Sequence, residues 1–194
     1  MRKILIIIDP QNDFIQGSLR NEAAIARIPN IINFINNFDG EEIFVTQDTH
    51  FTEDNTPFAP KAYKNTLEGK KLPIEHCLID TTGWKIDTKL KTVLDNCGKD
   101  VTYLQKITFG EYDLPEFIDR GDDEDMLIQI MGFCTDICVI SNALILRAYY
   151  PNTHIEVYED CCAGSTLELH KAALMTMESC QIDICTNQPK SKIE

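Results

Sequence analysis

A cysteine in a setting suited to acyl transfer stands between a predicted buried strand and a predicted helix. Residues 132–138 read GFCTDIC, and Thr135 is the expected N-cap, which places Cys138 in the first helical turn. A helix N-terminus favours the thiolate, so we expect a thiol pKa below the ordinary value of about 8.5. The free N–H groups of that turn can also hold an oxyanion. The alternative is a packed core cysteine, the usual state of a cysteine considered alone.

Two charged residues that follow apolar strands could complete such a site. Lys106 ends a predicted strand, and beside a thiolate its ammonium would stabilise the anion and orient the substrate. Asp9 follows five consecutive apolar residues, and near Cys138 it would accept the thiol proton and return it to a leaving amine. Each residue also has a non-catalytic alternative. Lys106 could be a solvated lysine at a strand end, and Asp9 could be a turn aspartate before Pro10.

A third set of residues has the chemistry of a metal site. Asp48 and His50 form an Asp-x-His pair at the end of another predicted strand, and His76 follows well downstream. Alternate side chains of an extended segment point to the same side, so Asp48 and His50 can face one ion. Carboxylate and imidazole together suit zinc or another first-row divalent ion. The spacing is not specific, because polar loop residues show it too.

Strands and helices alternate along the chain, which predicts a parallel sheet covered by helices on both faces. The predicted strands are residues 3–8, 42–47, 100–105, 126–131, 155–158 and 181–185. Functional groups gather at the carboxyl ends of the strands in such sheets. The candidate residues follow these strands and should therefore share one edge of the sheet: Asp9, Asp48, Lys106 and residues 132–138.

The helices predicted between these strands carry two local signals. They are residues 21–38, 86–97, 114–119, 135–150 and 165–179. Pro29 is expected to kink or split the first helix, and Ser165 with Glu168 forms a capping box at the start of the last. The longest irregular stretch, residues 49–85, leaves the same edge of the sheet as the candidate residues, and loops of that length are usually functional or disordered. Residues 187–194 look like a frayed tail.

Length and composition are those of an ordinary globular chain. The 194 residues predict one domain, residues 1–194. The net charge of -13 argues against a nucleic-acid partner, which would need a basic face. No stretch approaches the about 18 apolar residues of a membrane span and no signal segment is visible, so a cytoplasmic location without membrane contact is expected. The eight cysteines are then expected to be free thiols rather than a disulfide framework.

Four segments, in order along nearly the whole chain, resemble the isochorismatase-like cysteine hydrolases, and within them the nicotinamidase branch. Residues 6–14 (IIIDPQNDF) are similar to the family's opening D-x-Q-x-D-F strand, and residues 47–50 (QDTH) to its metal-binding D-x-H. Residues 106–110 (KITFG) resemble its catalytic lysine segment, and residues 132–139 (GFCTDICV) its G-x-x-T-D-x-C-V nucleophile turn. The agreement is specific for the superfamily and less specific for the substrate.

The resemblance implies an α/β fold of three layers, α/β/α, with a mostly parallel six-stranded sheet. It implies a catalytic triad of Asp9, Lys106 and Cys138. It also implies a cis peptide between Phe133 and Cys134, and an oxyanion hole formed by the N–H groups of Cys134 and Cys138.

The same resemblance implies a metal and a substrate class. One divalent ion, zinc with iron or manganese as alternatives, would be bound by Asp48, His50 and His76, with Glu68 as a fourth ligand. The ion would hold the pyridine nitrogen of nicotinamide, and Phe14 would contact the substrate. We therefore expect an amidohydrolase that converts nicotinamide to nicotinate and ammonia through a cysteine thioester, and a homo-oligomer.

The sequence departs from the nicotinamidase pattern at one segment. Nicotinamidases usually carry a ring-stacking aromatic residue before the last metal-binding histidine, but residues 72–76 read LPIEH. Five aromatic residues could compensate: Phe14, Phe51, Phe58, Tyr112 and, more remotely, Trp84. Two alternatives remain open, a metal-free relative acting on an N-carbamoyl or ureido substrate and a non-catalytic binding protein on the same fold.

Overall fold

The six strands of the sheet form from the apolar runs of the sequence. The computed structural model describes residues 1–118 and 125–186. In these residues the strands are β1 (Arg2–Ile8), β2 (Glu42–Asp48), β3 (Asp100–Lys106), β4 (Met126–Phe133), β5 (His154–Ala163) and β6 (Asp183–Cys185). Their order across the sheet is β3-β2-β1-β4-β5-β6, and each neighbouring pair is parallel. The predicted six-stranded parallel sheet is confirmed.

Helices fill the connections between the strands. Over the same described ranges they are α1 (Asn12–Ile15), α2 (Glu22–Asn37), α3 (Leu67–Lys71), α4 (Thr88–Asn96), α5 (Leu114–Phe117), α6 (Ile140–Tyr149) and α7 (Leu167–Ser179). A 3₁₀ turn (Tyr63–Asn65) lies in the long loop, and a π-helical turn (Thr135–Val139) precedes α6. Helix α2 packs against α4, and α6 packs against α5 and α7. Right-handed crossovers place these two groups on opposite faces, which gives the three layers.

The strand order reverses between β1 and β4, and the ends of these two strands come very close together. β4 is buried throughout, and β1 is buried from Ile4 onwards. Gly132 has φ +124, and a Cβ atom placed there would lie 2.1 Å from the Ile8 carbonyl oxygen. Only glycine permits this approach. The crevice at such a reversal, beyond the carboxyl ends of the strands, is the usual ligand site of open α/β sheets.

Pro29 does not split the first long helix, because α2 runs unbroken from Glu22 to Asn37. The expected split was wrong for a physical reason. Pro29 is exposed, so water can reach the side of the helix where proline removes a backbone donor. Ile28 and Ile31, on the opposite side, stay buried and hold the helix against the sheet.

The start of α7 also differs from its prediction. The N-cap is Thr166, whose hydroxyl accepts the N–H of Leu169 at 3.1 Å. Ser165 instead donates its backbone N–H and its hydroxyl to the two carboxylate oxygens of Asp136, at 2.7 and 2.6 Å. A tertiary contact to the π-helical turn therefore takes the place of the local capping box at Ser165.

Two sequence predictions fall partly on residues that the structure does not describe. The helix expected over residues 114–119 ends at Phe117, and Asp119 lies outside the described residues. Residues 187–194 also lie outside them. Among the helices of residues 1–118 and 125–186, none is long and apolar enough to pass through a membrane.

Candidate active site

Lys106 lies at the centre of the candidate site, buried at the end of β3. Its Nζ is 2.7 Å from Asp9 Oδ2 and 3.4 Å from Asp48 Oδ1. It also donates hydrogen bonds to the Thr108 carbonyl at 3.1 Å and to the Cys138 sulfur at 3.6 Å. The fold thus brings candidate residues from four strand ends to one point.

The two carboxylates keep Lys106 charged. Burial alone would lower the pKa of Lys106, but the charges of Asp48 and Asp9 outweigh burial and raise that pKa well above its usual range. A lysine that stays protonated stabilises a neighbouring anion and does not act as a base at neutral pH.

Asp9 is held in one orientation by its backbone and by a threonine of the next strand. Its φ is 46, in the left-handed region that non-glycine residues rarely occupy. The Asp9 N–H donates to Thr46 Oγ1 at 3.1 Å, and the Thr46 hydroxyl donates to Asp9 Oδ1 at 2.7 Å. Burial raises the pKa of Asp9, although Lys106 opposes that rise. A carboxyl group with a raised pKa is suited to taking and returning a proton.

The Cys138 thiol has a raised pKa, which contradicts the lowered value expected from its helix-start position. Cys138 is buried, and burial raises its pKa well above the usual thiol range despite the opposing charge of Lys106. The charges of Asp9 and Asp48 add to the rise. Desolvation and the nearby carboxylates therefore outweigh Lys106, and the resting residue is a thiol that needs a base.

Two contacts fasten the turn that carries Cys138 to the start of α7. The turn begins one residue earlier than predicted, with Cys134 at the N-cap position. Thr135 is therefore inside the turn, and its Oγ1 lies 2.8 Å from Nδ1 of the buried His170. Asp136 accepts the two hydrogen bonds from Ser165. Sequence reasoning missed His170, because the contact joins residues that are far apart in the chain.

The peptide bond between Phe133 and Cys134 is cis, as the family resemblance implies. The side chains of Cys134 and Cys138 line the same cleft. The N–H groups of these two residues remain the predicted oxyanion donors.

Asp48, His50, Glu68 and His76 form a compact cluster beside Lys106. One ligand atom from each of the four lies within 4.8 Å of the others. His50 Nε2 is 2.9 Å from Asp48 Oδ2, and His76 Nε2 is 3.4 Å from Glu68 Oε1. Glu68 comes from α3 in the long loop and has a side chain that is 21% exposed, whereas the other three are buried.

The donor set and its surroundings fit a divalent metal ion. His50 Nε2 is buried and makes no hydrogen bond of normal geometry, despite the nearby Asp48 carboxylate. His76 Nδ1 is 2.9 Å from the Ile74 carbonyl, which directs Nε2 into the cluster. The ring of Tyr63, which the sequence reasoning did not single out, packs on both imidazoles, with centroid distances of 4.7 and 5.0 Å. Two imidazoles and two carboxylates suit zinc and related ions.

The electrostatics of the cluster favour a cation. Burial alone would lower the pKa of His76, but the Asp48 and Glu68 carboxylates, 3.6 and 3.4 Å from its Nε2, raise it to about 10. Burial would likewise raise the pKa of Asp48, yet Lys106 and His50 hold it well below its usual range. Asp48 is therefore an anion at neutral pH, as a metal ligand must be.

A cleft of about 590 Å³ joins the Cys138 turn to this cluster. Its apolar walls include Phe14, Leu72, Phe109 and Ile137, and its polar rim includes Ser18, Arg20, Asn21 and Ser165. The site residues Asp48, Glu68, His76, Cys134 and Cys138 line it as well. The cleft therefore gives a small molecule access to the thiol and to the metal ligands together.

Of the aromatic residues expected to replace the missing stacking ring, only Phe14 lines the cleft. The other four line different surfaces, so that expectation was wrong for Phe51, Phe58, Tyr112 and Trp84. Phe51 and Phe58 stack on each other, and Trp84 donates a hydrogen bond to Thr49. Phe109 is the aromatic residue that the sequence reasoning missed, and its signal was its position three residues after Lys106.

The family of this fold and site is shown by the sequence. Residues 3–189 match the model of the isochorismatase domain. The chain therefore belongs to the isochorismatase family.

Within that family, the proteins similar to this chain include nicotinamidases and pyrazinamidases, and an N-carbamoylsarcosine amidase of Thermoplasma acidophilum also has a similar fold. A nicotinamidase of Schizosaccharomyces pombe is 26% identical over 215 residues, which cover 95% of this chain and 93% of that protein. The nicotinamidase/pyrazinamidase of Bacillus subtilis has a similar fold, with a TM-score of 0.76, 24% identity, and coverage of 95% of this chain and 100% of that one. A pyrazinamidase of Pyrococcus horikoshii in complex with zinc gives a TM-score of 0.72 at 20% identity, covering 96% and 99%.

Proposed function

We propose that the chain is a single-domain cysteine amidohydrolase that converts nicotinamide to nicotinate and ammonia. The observation that carries the proposal is the position of Lys106, which contacts Asp9 and Cys138 on one side and Asp48 of the metal cluster on the other. One cleft reaches both sides, so a ring carboxamide can present its amide to the thiol and its ring nitrogen to the cluster. The nicotinamidases among the relatives support this choice of substrate.

In the first half of the reaction, Asp9 accepts the proton of the Cys138 thiol, and the sulfur attacks the amide carbonyl carbon. The raised pKa of Cys138 keeps the thiol protonated until this step, and the raised pKa of Asp9 makes it an adequate acceptor. Lys106 stabilises the thiolate as it forms. The N–H groups of Cys134 and Cys138 would hold the negative carbonyl oxygen.

In the second half, Asp9 returns its proton to the amide nitrogen. The carbon–nitrogen bond breaks, ammonia leaves, and a thioester with Cys138 remains. Asp9 then takes a proton from a water molecule, whose oxygen attacks the thioester carbon. The carbon–sulfur bond then breaks, Asp9 gives this proton to the Cys138 sulfur, and the carboxylic acid leaves, so atoms and protons balance over one cycle.

Asp48, His50, Glu68 and His76 would hold one divalent ion. When bound, that ion supplies a Lewis-acid anchor for the ring nitrogen of the substrate. Zinc is our choice because of the imidazole and carboxylate donors and because the similar pyrazinamidase binds it, with iron or manganese as alternatives. Ile74 and Tyr63 would keep the imidazoles oriented towards the ion.

Phe14 and Phe109 are the proposed ring contacts. Both line the cleft, and Phe14 packs edge-on against the His76 ring at a centroid distance of 5.7 Å. Leu72 also lines the cleft, from the segment where nicotinamidases usually carry an aromatic ring.

All eight cysteines are free thiols, which supports the cytoplasmic location expected from the sequence.

Ammonia release from three matched substrates tests this function. Nicotinamide and pyrazinamide carry a ring nitrogen, whereas benzamide has the same shape without one. We expect turnover of nicotinamide, a large loss on chelation, and recovery on adding zinc, with benzamide slow in every condition. A metal-free protein that is fully active, above all on an N-carbamoyl substrate, would overturn the nicotinamidase assignment in favour of the carbamoyl-type alternative.

Two alanine variants, one at a cluster histidine and one at an exposed histidine outside the cluster, provide a matched comparison in the same assay. His50→Ala removes a cluster ligand, whereas His154→Ala changes an exposed histidine at the start of β5. The expected result is loss of bound metal and of nicotinamide turnover in the first variant only, with Cys138 still open to alkylation. Equal activity of the two variants would contradict the metal centre.

A further inference from the structure

Gln11 binds both backbone groups of the metal-ligand candidate Asp48. The side chain of Gln11 is completely buried. Its Oε1 accepts the Asp48 N–H at 2.7 Å, and its Nε2 donates to the Asp48 carbonyl at 2.8 Å. The same Nε2 also donates to the Trp84 carbonyl at 2.8 Å. The last residue of β2 is therefore fixed by a side chain from the segment that follows β1.

Asp13, two residues further on, binds the chain next to the second ligand candidate, His76. Its Oδ2 accepts the N–H of Cys77 at 2.8 Å, and its Oδ1 accepts the N–H of Ser18 at 3.0 Å. Cys77 has φ 46, a left-handed conformation that persists only where surrounding contacts impose it. Asp13 is itself buried, so these bonds are shielded from water. Asp13 therefore sets the path of the backbone that presents His76.

Both side chains belong to the segment that begins with Asp9. The Gln11 N–H donates to the Asp9 carbonyl at 2.8 Å, which keeps Asp9 and Gln11 in a fixed relation. Asp48 ends a strand of the sheet, whereas His76 lies in the long loop, so the two have no common element. Three alternate residues of one short segment thus have linked positions: Asp9 is the candidate proton-transfer residue, Gln11 binds the strand ligand Asp48, and Asp13 binds the residue that follows the loop ligand.

We propose that Gln11 and Asp13 are positioning residues for the metal centre. They hold Asp48 and His76 at the separation that one ion requires, and they tie this separation to the position of Asp9. Residues that orient metal ligands without touching the ion typically contribute about 10–100-fold to metal affinity. The inference rests on the metal site of the proposed function, but its test does not depend on turnover.

The test measures zinc affinity by competition with a chromophoric chelator. Asp13→Asn keeps the size of the side chain and leaves one oxygen to accept two N–H groups. Gln11→Met keeps the length and removes both bonds to Asp48. We expect zinc to bind about 10–100-fold more weakly in each variant, and the visible spectrum of bound cobalt to change.

Two control variants separate positioning from general loss of stability. Asn12→Ala lies in α1 with Asp13 but loses only two exposed hydrogen bonds, one to the Thr82 carbonyl and one from Gln16. Ile31→Val opens a small cavity in the core far from the cluster. Both controls should bind zinc as the wild-type chain does, and all metal-free proteins should show cooperative thermal unfolding. If Gln11→Met does not fold, Asp13→Asn alone carries the comparison.

The outcomes of this experiment are distinct. Weaker zinc binding confined to the Gln11 and Asp13 variants supports the inference. Unchanged affinity in a folded Asp13→Asn protein overturns it while leaving the proposed function intact. Affinity that falls equally in Ile31→Val also overturns it, because the effect would then follow stability. A wild-type chain that binds no zinc, cobalt, iron or manganese overturns the metal centre and this inference together.

Discussion

Lys106 contacts two buried carboxylates, Asp9 and Asp48, whose proposed chemical roles differ. We call Asp9 and Cys138 the nucleophile half of the site, and the cluster of Asp48, His50, Glu68 and His76 the ligand half. Both carboxylates are buried and both lie within 3.4 Å of the same ammonium group. Yet the pKa of Asp9 is raised, mainly by burial, while Lys106 and His50 hold that of Asp48 well below its usual range.

The difference between the halves comes from their other neighbours. Asp9 has a hydroxyl group, Thr46, as its further partner, so burial dominates. Asp48 has two imidazole nitrogens near its Oδ2, His50 Nε2 at 2.9 Å and His76 Nε2 at 3.6 Å, in addition to Lys106. Two carboxyl groups with pKa values driven apart suit different roles, which agrees with the proposed assignments: Asp9, with the raised pKa, to move a proton, and Asp48, with the lowered pKa, to stay an anion.

The largest effect on turnover should come from Cys138→Ala. This variant removes the proposed nucleophile and leaves the ligand half intact. Turnover should fall by about 10⁴-fold or more, because the covalent route is lost. Zinc content and the thermal unfolding midpoint should stay near those of the wild-type chain. Cys134→Ala is the matched control, since only its N–H is proposed to act, and its loss should be mild. Comparable turnover in the two variants would refute the choice of nucleophile.

Asp9→Asn and Asp48→Asn should separate the two carboxylates most directly. Asp9→Asn should lower kcat by about 10²–10⁴-fold, the usual contribution of a proton-transfer group, while zinc binding persists. Asp48→Asn should instead weaken zinc binding, and added zinc should restore part of its nicotinamide turnover. Parallel measurements of zinc content and kcat check this pair, and the same pattern in both variants would remove the distinction between the halves.

The pH dependence of Cys138 alkylation should be a smaller but more specific effect. A raised pKa means that the thiol form predominates at neutral pH, so the rate with iodoacetamide should keep rising with pH beyond the ordinary thiol range near about 8.5. Lys106 opposes the rise in pKa, so Lys106→Met should slow alkylation further at a given pH. A rate that levels off below that range would show that the helix dipole dominates after all.

The smallest effect is expected at the contact between Thr135 and His170, behind the nucleophile half. Burial lowers the pKa of His170, so the ring is neutral at pH 7 and its Nδ1 can accept the threonine hydroxyl. Thr135→Val should lower the free energy of unfolding by about 1 kcal/mol, the net value of one hydrogen bond. Ser179→Ala, which loses an exposed bond within α7, is the control. A double-mutant cycle with His170→Phe that gave no coupling energy would contradict the contact.

The strand-end residues were predictable from the sequence, because apolar runs that stop at a charge identify buried parallel strands. Asp9, Asp48 and Lys106 were found in this way, and the sheet that unites them followed from the alternation of strands and helices. The reversal between β1 and β4 then explains why Cys138 faces Asp9 across Lys106. The sequence carries this information most clearly for β1, β2 and β4, because these strands are buried along most or all of their length.

The remaining features depend on contacts that no local pattern encodes. The raised pKa of Cys138 follows from burial by the assembled fold and from the charges of Asp9 and Asp48, which come from other strand ends. Tyr63 and His170 make their contacts with residues distant in sequence. The unbroken helix at Pro29 likewise depends on which side of α2 meets water. In each case tertiary structure overrode a sound local expectation.

The four cluster residues differ in their exposure to solvent. This difference should affect the equilibrium affinity for the proposed ion and the rate of its exchange in different ways. Asp48, His50 and His76 are enclosed by the sheet and the long loop, whereas Glu68 is 21% exposed on the short helix α3. An incoming ion or a competing chelator would meet this carboxylate first. Substitutions around Glu68 should therefore alter the rate of metal exchange more than the equilibrium affinity. The lifetime of the proposed metal-bound protein would then depend on this exposed carboxylate rather than on the three buried ligands.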